Sequence, residues 1–374
     1  MESASDLLLT EIQDPGLWRG EEEFSFNHQS FAAHVISTFY RFSSVSDGLH
    51  VLLPADIRNS GIRRASPLLM DKSQPAWAPW VALAVEHCNN ANPTKYKIVK
   101  RGKDIVFSQR KANPRDVEVE ILCADDFHNL RTRCSFPQDP EFANSLATVR
   151  HCSMPSRKSP ALWSRTQIDG DFVIKEVDAE LLASFERISD RYFEYVDILC
   201  EERLRTMLVL AIAVLKVRML GGAEHILLVM EALSSTATLY RQYDLKGLQE
   251  RAGGISDGTL QGPLTLQAKD HETFFEILAR DTFFLQEAEV FDYSLMVYHV
   301  PGRNELVVGI IDYLRYFTPV KHAFVALLKT LDGKPRSALH PKQYRKRMLE
   351  AFAKYFPCAS SVHKLKIQFR RSSE

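Results

Sequence analysis

Two segments rich in apolar and β-branched residues, joined by a short polar stretch, make up most of residues 291–317. Residues 293–300 and 306–311 have the composition that strands favour. Pro301-Gly302-Arg303-Asn304 between them has the composition of a turn. The pattern predicts an antiparallel β-hairpin.

This hairpin would bring two acidic residues together at its open end. Pairing about a turn near Gly302 places Asp292 almost opposite Asp312, at roughly 5 Å across the ladder. Two carboxylates at this distance destabilise each other unless a metal ion or a shared proton lies between them. The alternative is that both are solvated residues at strand ends.

The bulk composition is that of a globular protein with room for two domains or lobes. Of 374 residues, 45% are hydrophobic and 25% are charged. The longest strongly apolar run, Met207–Leu215, is too short to cross a bilayer, and the N-terminus is acidic rather than basic. Six cysteines occur without a CxxC pair, so we expect reduced structural thiols. These features predict a cytoplasmic protein.

Positive charge is concentrated near the C-terminal end, although the whole chain has a net charge of zero. Residues 315–371 contain fourteen lysines and arginines against two acids, a balance of +12. Such a segment favours an anionic membrane surface, where each basic residue near the lipid contributes about 1 kcal/mol. A solvated helix face is the alternative. Nucleic acid is not expected as a partner, because the aromatic platforms of single-strand binders are not evident.

Five short motifs follow one another in a fixed order. They are YDLKG at 243–247, RDTFFL at 280–285, FDYSLMV at 291–297, VVGIIDYLRYFT at 307–318 and PKQYRKR at 341–347. Together they resemble the phosphatidylinositol phosphate kinases, whose patterns read YDLKGS, DTxFL, MDYSLL and IID. The resemblance is strongest to the type III, PIKfyve-like 1-phosphatidylinositol-3-phosphate 5-kinases, and it begins near Val117.

The resemblance implies an α+β fold, the two-lobed kinase fold of this family, with antiparallel sheets and flanking helices. It divides the chain into an N-terminal region of unknown role (1–112), a kinase N-lobe (113–232) and a C-lobe (233–374). The C-lobe would contain a basic specificity loop and a C-terminal helix.

Local patterns predict elements in the order that these lobes need. Residues 171–177 are expected to form a strand, Asp178 to cap a helix running toward Cys200, and residues 209–231 to form a hairpin that ends in a hinge. Further helices are predicted at 31–42, 270–286, 319–329 and 341–356.

The resemblance also implies ATP and Mg²⁺ as cofactors and assigns residues that bind the nucleotide. Lys175 matches the strand lysine that holds the phosphates, with an exposed strand lysine as the alternative. Lys158 would add charge in the phosphate-binding loop, Met230 and Glu231 would form the hinge at adenine, and Asp244 would complete this set.

For catalysis, the resemblance assigns Asp312 and Asp292 to the metal. Asp292 would also orient or deprotonate the inositol hydroxyl, next to the catalytic Lys246. The substrate phosphates would be bound by Lys246, Arg251, Lys334, Arg336 and Lys342, with a solvated side chain as the alternative for Arg251. His340 is expected to cap a helix rather than to bind phosphate.

One segment departs from the family pattern. The phosphate-binding loop of the family reads close to GGKSGSxF, whereas residues 156–162 read SRKSPAL, without glycine. Backbone amides cradle a phosphate only where the chain can approach it closely, and Pro160 supplies neither flexibility nor an N–H.

Two functions are therefore open. The first is an ATP-dependent kinase acting on a phosphatidylinositol monophosphate, with the 5-hydroxyl of phosphatidylinositol 3-phosphate as the expected target. The second is a catalytically degenerate relative that binds phosphoinositides or a partner without turnover. In both, the expected location is peripheral to endosomal or other phosphoinositide-containing membranes, reached through the basic surface or a recruiting protein partner.

Overall fold

The structure is a computed structural model. It describes residues 75, 77–88, 96–109, 117–152, 163–165, 172–219, 224–233, 241–248, 260, 262–300, 304–318, 339–358 and 365–368. The helices expected at 31–42 and 319–329 lie outside these residues, and so do Lys158, Arg251, Lys334 and Arg336. The proposed division of the chain into three regions stays a prediction.

The N-terminal part of the described chain contains eight strands and four helices. In order, the elements are α1 (Ala78–Cys88), β1 (Tyr96–Arg101), β2 (Asp104–Gln109), β3 (Val117–Leu122), α2 (Ala124–Arg133), α3 (Asp139–Ala147), β4 (Arg150–Cys152), β5 (Trp163–Arg165), β6 (Phe172–Val177), α4 (Ala179–Glu201), β7 (Ala211–Met219) and β8 (Glu224–Glu231). The C-terminal part contains β9 (Arg241–Leu245), α5 (Ala268–Glu287), β10 (Ser294–Val300), β11 (Glu305–Ile311), α6 (Pro341–Tyr355) and β12 (Lys366–Gln368).

The strands form two sheets. Eight of them pair antiparallel in the order β1-β2-β3-β7-β8-β6-β5-β4. The other four follow the order β12-β11-β10-β9, in which only β11 and β12 run parallel. The expected α+β class with mainly antiparallel sheets and flanking helices is confirmed. None of the described helices is long and apolar enough to span a bilayer.

Two residues that were expected to cap helices do so. The side chain of Asp178 accepts a 2.8 Å hydrogen bond from the backbone N–H of Leu181 and so caps α4. The His340 ring accepts from the N–H of Lys342 at the start of α6, which confirms its capping role. The predicted hairpins correspond to β7–β8 and β10–β11.

Helix α4 packs one apolar face into the hydrophobic core. Leu182, Phe185, Ile188 and Tyr192 recur every three or four positions and are buried, so one face of the helix is apolar. These side chains belong to one continuous cluster of buried hydrophobic residues that includes members of both sheets.

A buried aspartate on α5 connects this helix to α4 and to the chain segment after it. Asp281 is fully buried and accepts hydrogen bonds from the Tyr195 hydroxyl at 2.6 Å, the Thr206 hydroxyl at 2.9 Å and the Met207 N–H at 2.6 Å. Burial raises the pKa of Asp281, while the neighbouring Arg280 guanidinium lowers it. We call Asp281 and its three donors the Asp281 cluster.

The segment that follows, residues 207–211, touches both sheets. The Ile310 N–H on β11 donates to the Met207 carbonyl at 2.6 Å, and the Val209 N–H donates to the Ile310 carbonyl at 3.0 Å. On the other side, Leu210 exchanges hydrogen bonds with Glu231 at the end of β8. These residues therefore join the eight-stranded sheet to the four-stranded one.

We predict that Asp281→Ala lowers the free energy of unfolding by about 3 kcal/mol or more, because it leaves three buried donors without their acceptor. Urea unfolding of the purified variant measures the effect. Glu272→Ala, an exposed change on the same helix, is the matched control and should stay within about 0.5 kcal/mol of the parent. Equal stability of the two variants would contradict a structural role for the Asp281 cluster.

Gly309 gives a second prediction. A Cβ at this position would lie 2.5 Å from a Leu233 methyl and 2.7 Å from a Val209 methyl. Gly309→Ala should therefore destabilise the protein by about 1–3 kcal/mol, because the partly buried Leu233 and the buried Val209 must shift. Thermal melting of the purified variants measures the effect. Gly262→Ala, where a Cβ would meet nothing within 4 Å, is the control and should show no such loss. A Gly309→Ala protein as stable as the parent would show that the contact relaxes freely.

Candidate functional site

A cleft of about 340 Å³ contains the charged residues of greatest interest. Its apolar lining consists of Leu181 on α4, Ala211, Leu228 and Met230 on the eight-stranded sheet, and Leu314 after β11. Its polar lining consists of Lys175, Asp312, Tyr313 and Arg315. The cleft thus has an apolar part contributed mainly by one sheet and a charged part near the end of β11.

Lys175 and Asp312 form an ion pair in this cleft. Lys175 lies on β6, next to Leu228 of β8, and its Nζ is 2.8 Å from Oδ1 of Asp312. The two side chains are 17% and 20% exposed, so water only partly screens their attraction. The strand lysine and the aspartate of the IID motif, 137 positions apart in the sequence, therefore meet at the cleft.

A second lysine and aspartate pair lies beside the first. Nζ of Lys246, just after β9, is 2.8 Å from Oδ1 of Asp292 and also donates to the Asp292 carbonyl. Arg315, which lines the cleft, places Nη1 3.4 Å from the other carboxylate oxygen of Asp292. Arg315 therefore connects the Asp292 pair to the cleft.

The backbone at both aspartates differs from a regular strand. The β10–β11 ladder ends at Ser294 and Ile311, so neither Asp292 nor Asp312 belongs to a ladder pair. Extending this register would place residue 293, not Asp292, opposite Asp312. The ladder is centred between residues 302 and 303 as predicted, and Asp292 lies one residue from the position opposite Asp312. Asp292 has φ 61° and Asp312 has φ 60°, the left-handed region that is uncommon outside glycine and often marks functional sites.

Each aspartate is balanced by its own lysine, which the sequence did not suggest. The described residues contain no group of three histidine, cysteine or acidic side chains that could hold a metal alone. Mg²⁺ in phosphate-binding sites needs only one or two carboxylates, since phosphate oxygens and water complete its shell. Asp312 and Asp292 fit that type of metal site rather than an all-protein cage.

The structure describes four further predicted site residues, and one of them lines the cleft. Met230 lines it, whereas Glu231 uses both its N–H and its carboxylate for Leu210. Asp244 lies on β9 opposite Met296, and Lys342 is an exposed residue in the first turn of α6. Neither Asp244 nor Lys342 is among the residues that line the cleft.

Helix α6 positions the Lys246 loop. Arg347 donates a 3.1 Å hydrogen bond to the Lys246 carbonyl, and Gly247 has φ 71° with Ala351 close to the place of a Cβ. The buried Tyr344 hydroxyl donates to the Tyr293 carbonyl. Burial raises the pKa of Tyr344 well above its usual range, so this hydroxyl keeps its proton.

Two of the polar residues that line the cleft, Tyr313 and Arg315, have no role there in the sequence-based predictions. Tyr313 donates a 2.7 Å hydrogen bond to the Val209 carbonyl and accepts one at 3.2 Å from the Ala211 N–H. Arg315 lies three residues after Asp312 and is the first residue of the basic segment. The signal for both residues is the motif IIDYLR, in which both follow the aspartate.

Comparisons with known proteins identify related chains. Residues 154–305 match the family model described as Phosphatidylinositol-4-phosphate 5-Kinase. The chain is 30% identical over 269 residues to 1-phosphatidylinositol-3-phosphate 5-kinase FAB1A of Arabidopsis thaliana, an alignment that covers 65% of this chain and 15% of that protein. It is 27% identical over 297 residues to 1-phosphatidylinositol 3-phosphate 5-kinase of Homo sapiens, which covers 72% of this chain and 14% of that protein.

The chain thus spans only a small part, 15% and 14%, of the length of these two relatives. The matched segment includes Lys175, Lys246 and Asp292. The relatives support the same assignment over about two thirds of the chain. Together with the fold and the order of the motifs, these matches show that this chain contains a domain of the phosphatidylinositol phosphate kinase family.

Proposed function

We propose that this protein is an ATP- and magnesium-dependent kinase that phosphorylates the inositol ring of a phosphatidylinositol monophosphate. The expected reaction is at the 5-hydroxyl of phosphatidylinositol 3-phosphate, as the names of the relatives suggest. The observation that carries the proposal is the pairing of Lys175 with Asp312 at 2.8 Å in a cleft with an apolar lining.

The nucleotide would occupy this cleft with its base on the apolar lining. Leu228 and Met230 supply apolar surface, which suits a purine ring. Lys175 would turn from Asp312 to the phosphates, since a lysine on this strand can neutralise them. The Glu231 N–H is already bonded to Leu210, so we assign the adenine contact to Met230 rather than to Glu231.

Asp312 would hold Mg²⁺ together with the nucleotide phosphates. The metal supplies charge neutralisation of the transferred phosphoryl group. The role of Asp312 is to fix the position of that charge, and the left-handed backbone at this residue sets the direction of its carboxylate. Asp292 is the second candidate ligand.

The acceptor hydroxyl would be placed by Asp292. A carboxylate within hydrogen-bond reach can orient the hydroxyl and accept its proton. Lys246 holds Asp292 at 2.8 Å, and Arg315 would add a positive charge beside the transferred phosphoryl group. Three cations and two carboxylates thus surround the place where charge develops.

Lipid substrate would reach the site from an anionic membrane. The +12 segment from 315 to 371 begins at Arg315 in the cleft and continues through the exposed Lys342 of α6. Basic side chains so placed favour a phosphorylated headgroup and a negative bilayer surface. We therefore propose a peripheral location on phosphoinositide-containing membranes, endosomal ones included, with a recruiting protein as a further means of attachment.

A second candidate is a phosphoinositide-binding relative without turnover. It is favoured by one observation, the sequence SRKSPAL at residues 156–162, where the family pattern has three glycines. Without these glycines the backbone amides cannot approach the phosphates as closely, and Pro160 has no N–H, so nucleotide binding would be weaker. Under this alternative the basic surface binds membranes while the cleft transfers no phosphate.

A lipid kinase assay tests the main proposal. Vesicles containing one monophosphate isomer at a time, with labelled ATP and Mg²⁺, should yield a labelled bisphosphate, most strongly from phosphatidylinositol 3-phosphate. Asp312→Asn and Asp292→Asn should each lower kcat by about 100-fold or more, because each removes a charge needed in the transition state. Asp125→Asn, at an exposed ion pair with Lys100, should leave the rate unchanged. Absence of product from every isomer, or full activity of Asp312→Asn, would refute the proposal.

Nucleotide binding is measured separately by thermal melting. Mg-ATP at a hundredfold over its dissociation constant should stabilise the protein by about 2.7 kcal/mol. Lys175→Met should lose most of this ligand-induced shift, measured against its own unliganded melt. Lys216→Met, which removes an ion-paired lysine from β7 on the same sheet, should retain it. An unmoved melting curve beside intact vesicle binding would support the relative without turnover.

A further inference from the structure

Two cysteine sulfurs meet where the end of α2 lies against the end of α4. Sγ of Cys134 is 3.0 Å from Sγ of Cys200, although the residues are 66 positions apart in the sequence. Both side chains are partly buried, and neither cysteine is in a disulfide. A disulfide bond is about 2.05 Å long, so the two sulfurs need to approach by only about 1 Å to form one.

The two helix ends are held together independently of the cysteines. Nη1 of Arg133 on α2 lies 2.9 Å from Oδ1 of Asp197 and 3.4 Å from Oε1 of Glu201, both on α4. Further along, the ring of Phe127 on α2 packs edge-on against Phe193 of α4 at 4.9 Å between centroids. The sulfurs therefore face each other in a packed arrangement, and bond formation needs no large backbone movement.

We propose that Cys134 and Cys200 are a redox modification site, at which a peroxide produces a reversible disulfide that locks α2 to α4. One thiolate attacks a peroxide oxygen, the O–O bond breaks, and a sulfenic acid and one water result. The second thiolate attacks the sulfenic sulfur, which forms the S–S bond and releases a second water. Two thiols are oxidised and one peroxide is reduced, so the electrons balance.

Two other cysteines have side chains that the structure describes, Cys123 and Cys358, and neither has this arrangement. Cys123 is buried, and burial raises its pKa to about 11, so little of it is thiolate at neutral pH. Cys358 is exposed, and among the described side chains no other sulfur forms a contact with it. Cys358 therefore serves as a matched control for ordinary surface oxidation.

The disulfide would act on the helix that connects the site to the core. Leu181 at the start of α4 lines the cleft, the Tyr192 hydroxyl donates to the Ala211 carbonyl, and Tyr195 belongs to the Asp281 cluster. A cross-link that closes a loop of this length restricts the unfolded chain and should raise the melting temperature by about 5 °C or more. The inference does not depend on kinase activity.

The test is peroxide treatment of the full chain, followed by proteolysis and mass spectrometry without reductant. We expect a peptide joined through Cys134 and Cys200, a higher melting temperature, and reversal of both by dithiothreitol. Cys134→Ser and Cys200→Ser should show neither change, whereas Cys358→Ser should behave as the parent protein does.

Two results would overturn the proposal. One is the absence of the joined peptide from the parent protein at a peroxide concentration that already oxidises Cys358. The other is formation of the joined peptide without any rise in melting temperature, because a lock between α2 and α4 must resist unfolding. Both measurements use the unmutated protein, so a serine variant that fails to fold does not affect them.

Discussion

The hydrogen bonds that hold residues 206–211 set the geometry of the whole site. Asp281 fixes the start of this segment from α5, while β11 and Glu231 hold its later residues from the two sheets. Lys175 and Asp312 come from different sheets and are 137 positions apart, so no local structure places them together. Their 2.8 Å contact depends on the segment that joins the sheets.

Each of the two aspartates of the site forms an ion pair with a lysine. Two partly buried carboxylates without cations would be costly, and Lys175 and Lys246 remove that cost. Under the proposed function, a metal-bound nucleotide would offer the same charges in a different arrangement, because its metal would attract the carboxylates and its phosphates would attract the lysines. Binding would then exchange partners without leaving a buried charge unpaired.

The sequence predicted what local chemistry determines. The hairpin, the Asp178 cap and the Pro341 helix follow from composition, capping and proline position, and all three are present. The partners of Lys246 and Asp281 could not be predicted, because they come from 46 and 74 to 86 positions away. The left-handed backbone at Asp312 could not be predicted either, because residues other than glycine adopt this conformation only occasionally.

The charge distribution of the cleft bears on the missing glycines of residues 156–162. Glycine-rich loops neutralise phosphates with backbone amides, which are partial charges at close range. In this chain Lys175, Lys246 and Arg315 bring full charges from three elements outside that loop. A loop whose amides cannot approach the phosphates closely would then lower nucleotide affinity, while the positions proposed for the reacting groups do not depend on that loop. Under the proposed kinase function, this arrangement therefore favours weaker ATP binding with retained chemistry over loss of turnover.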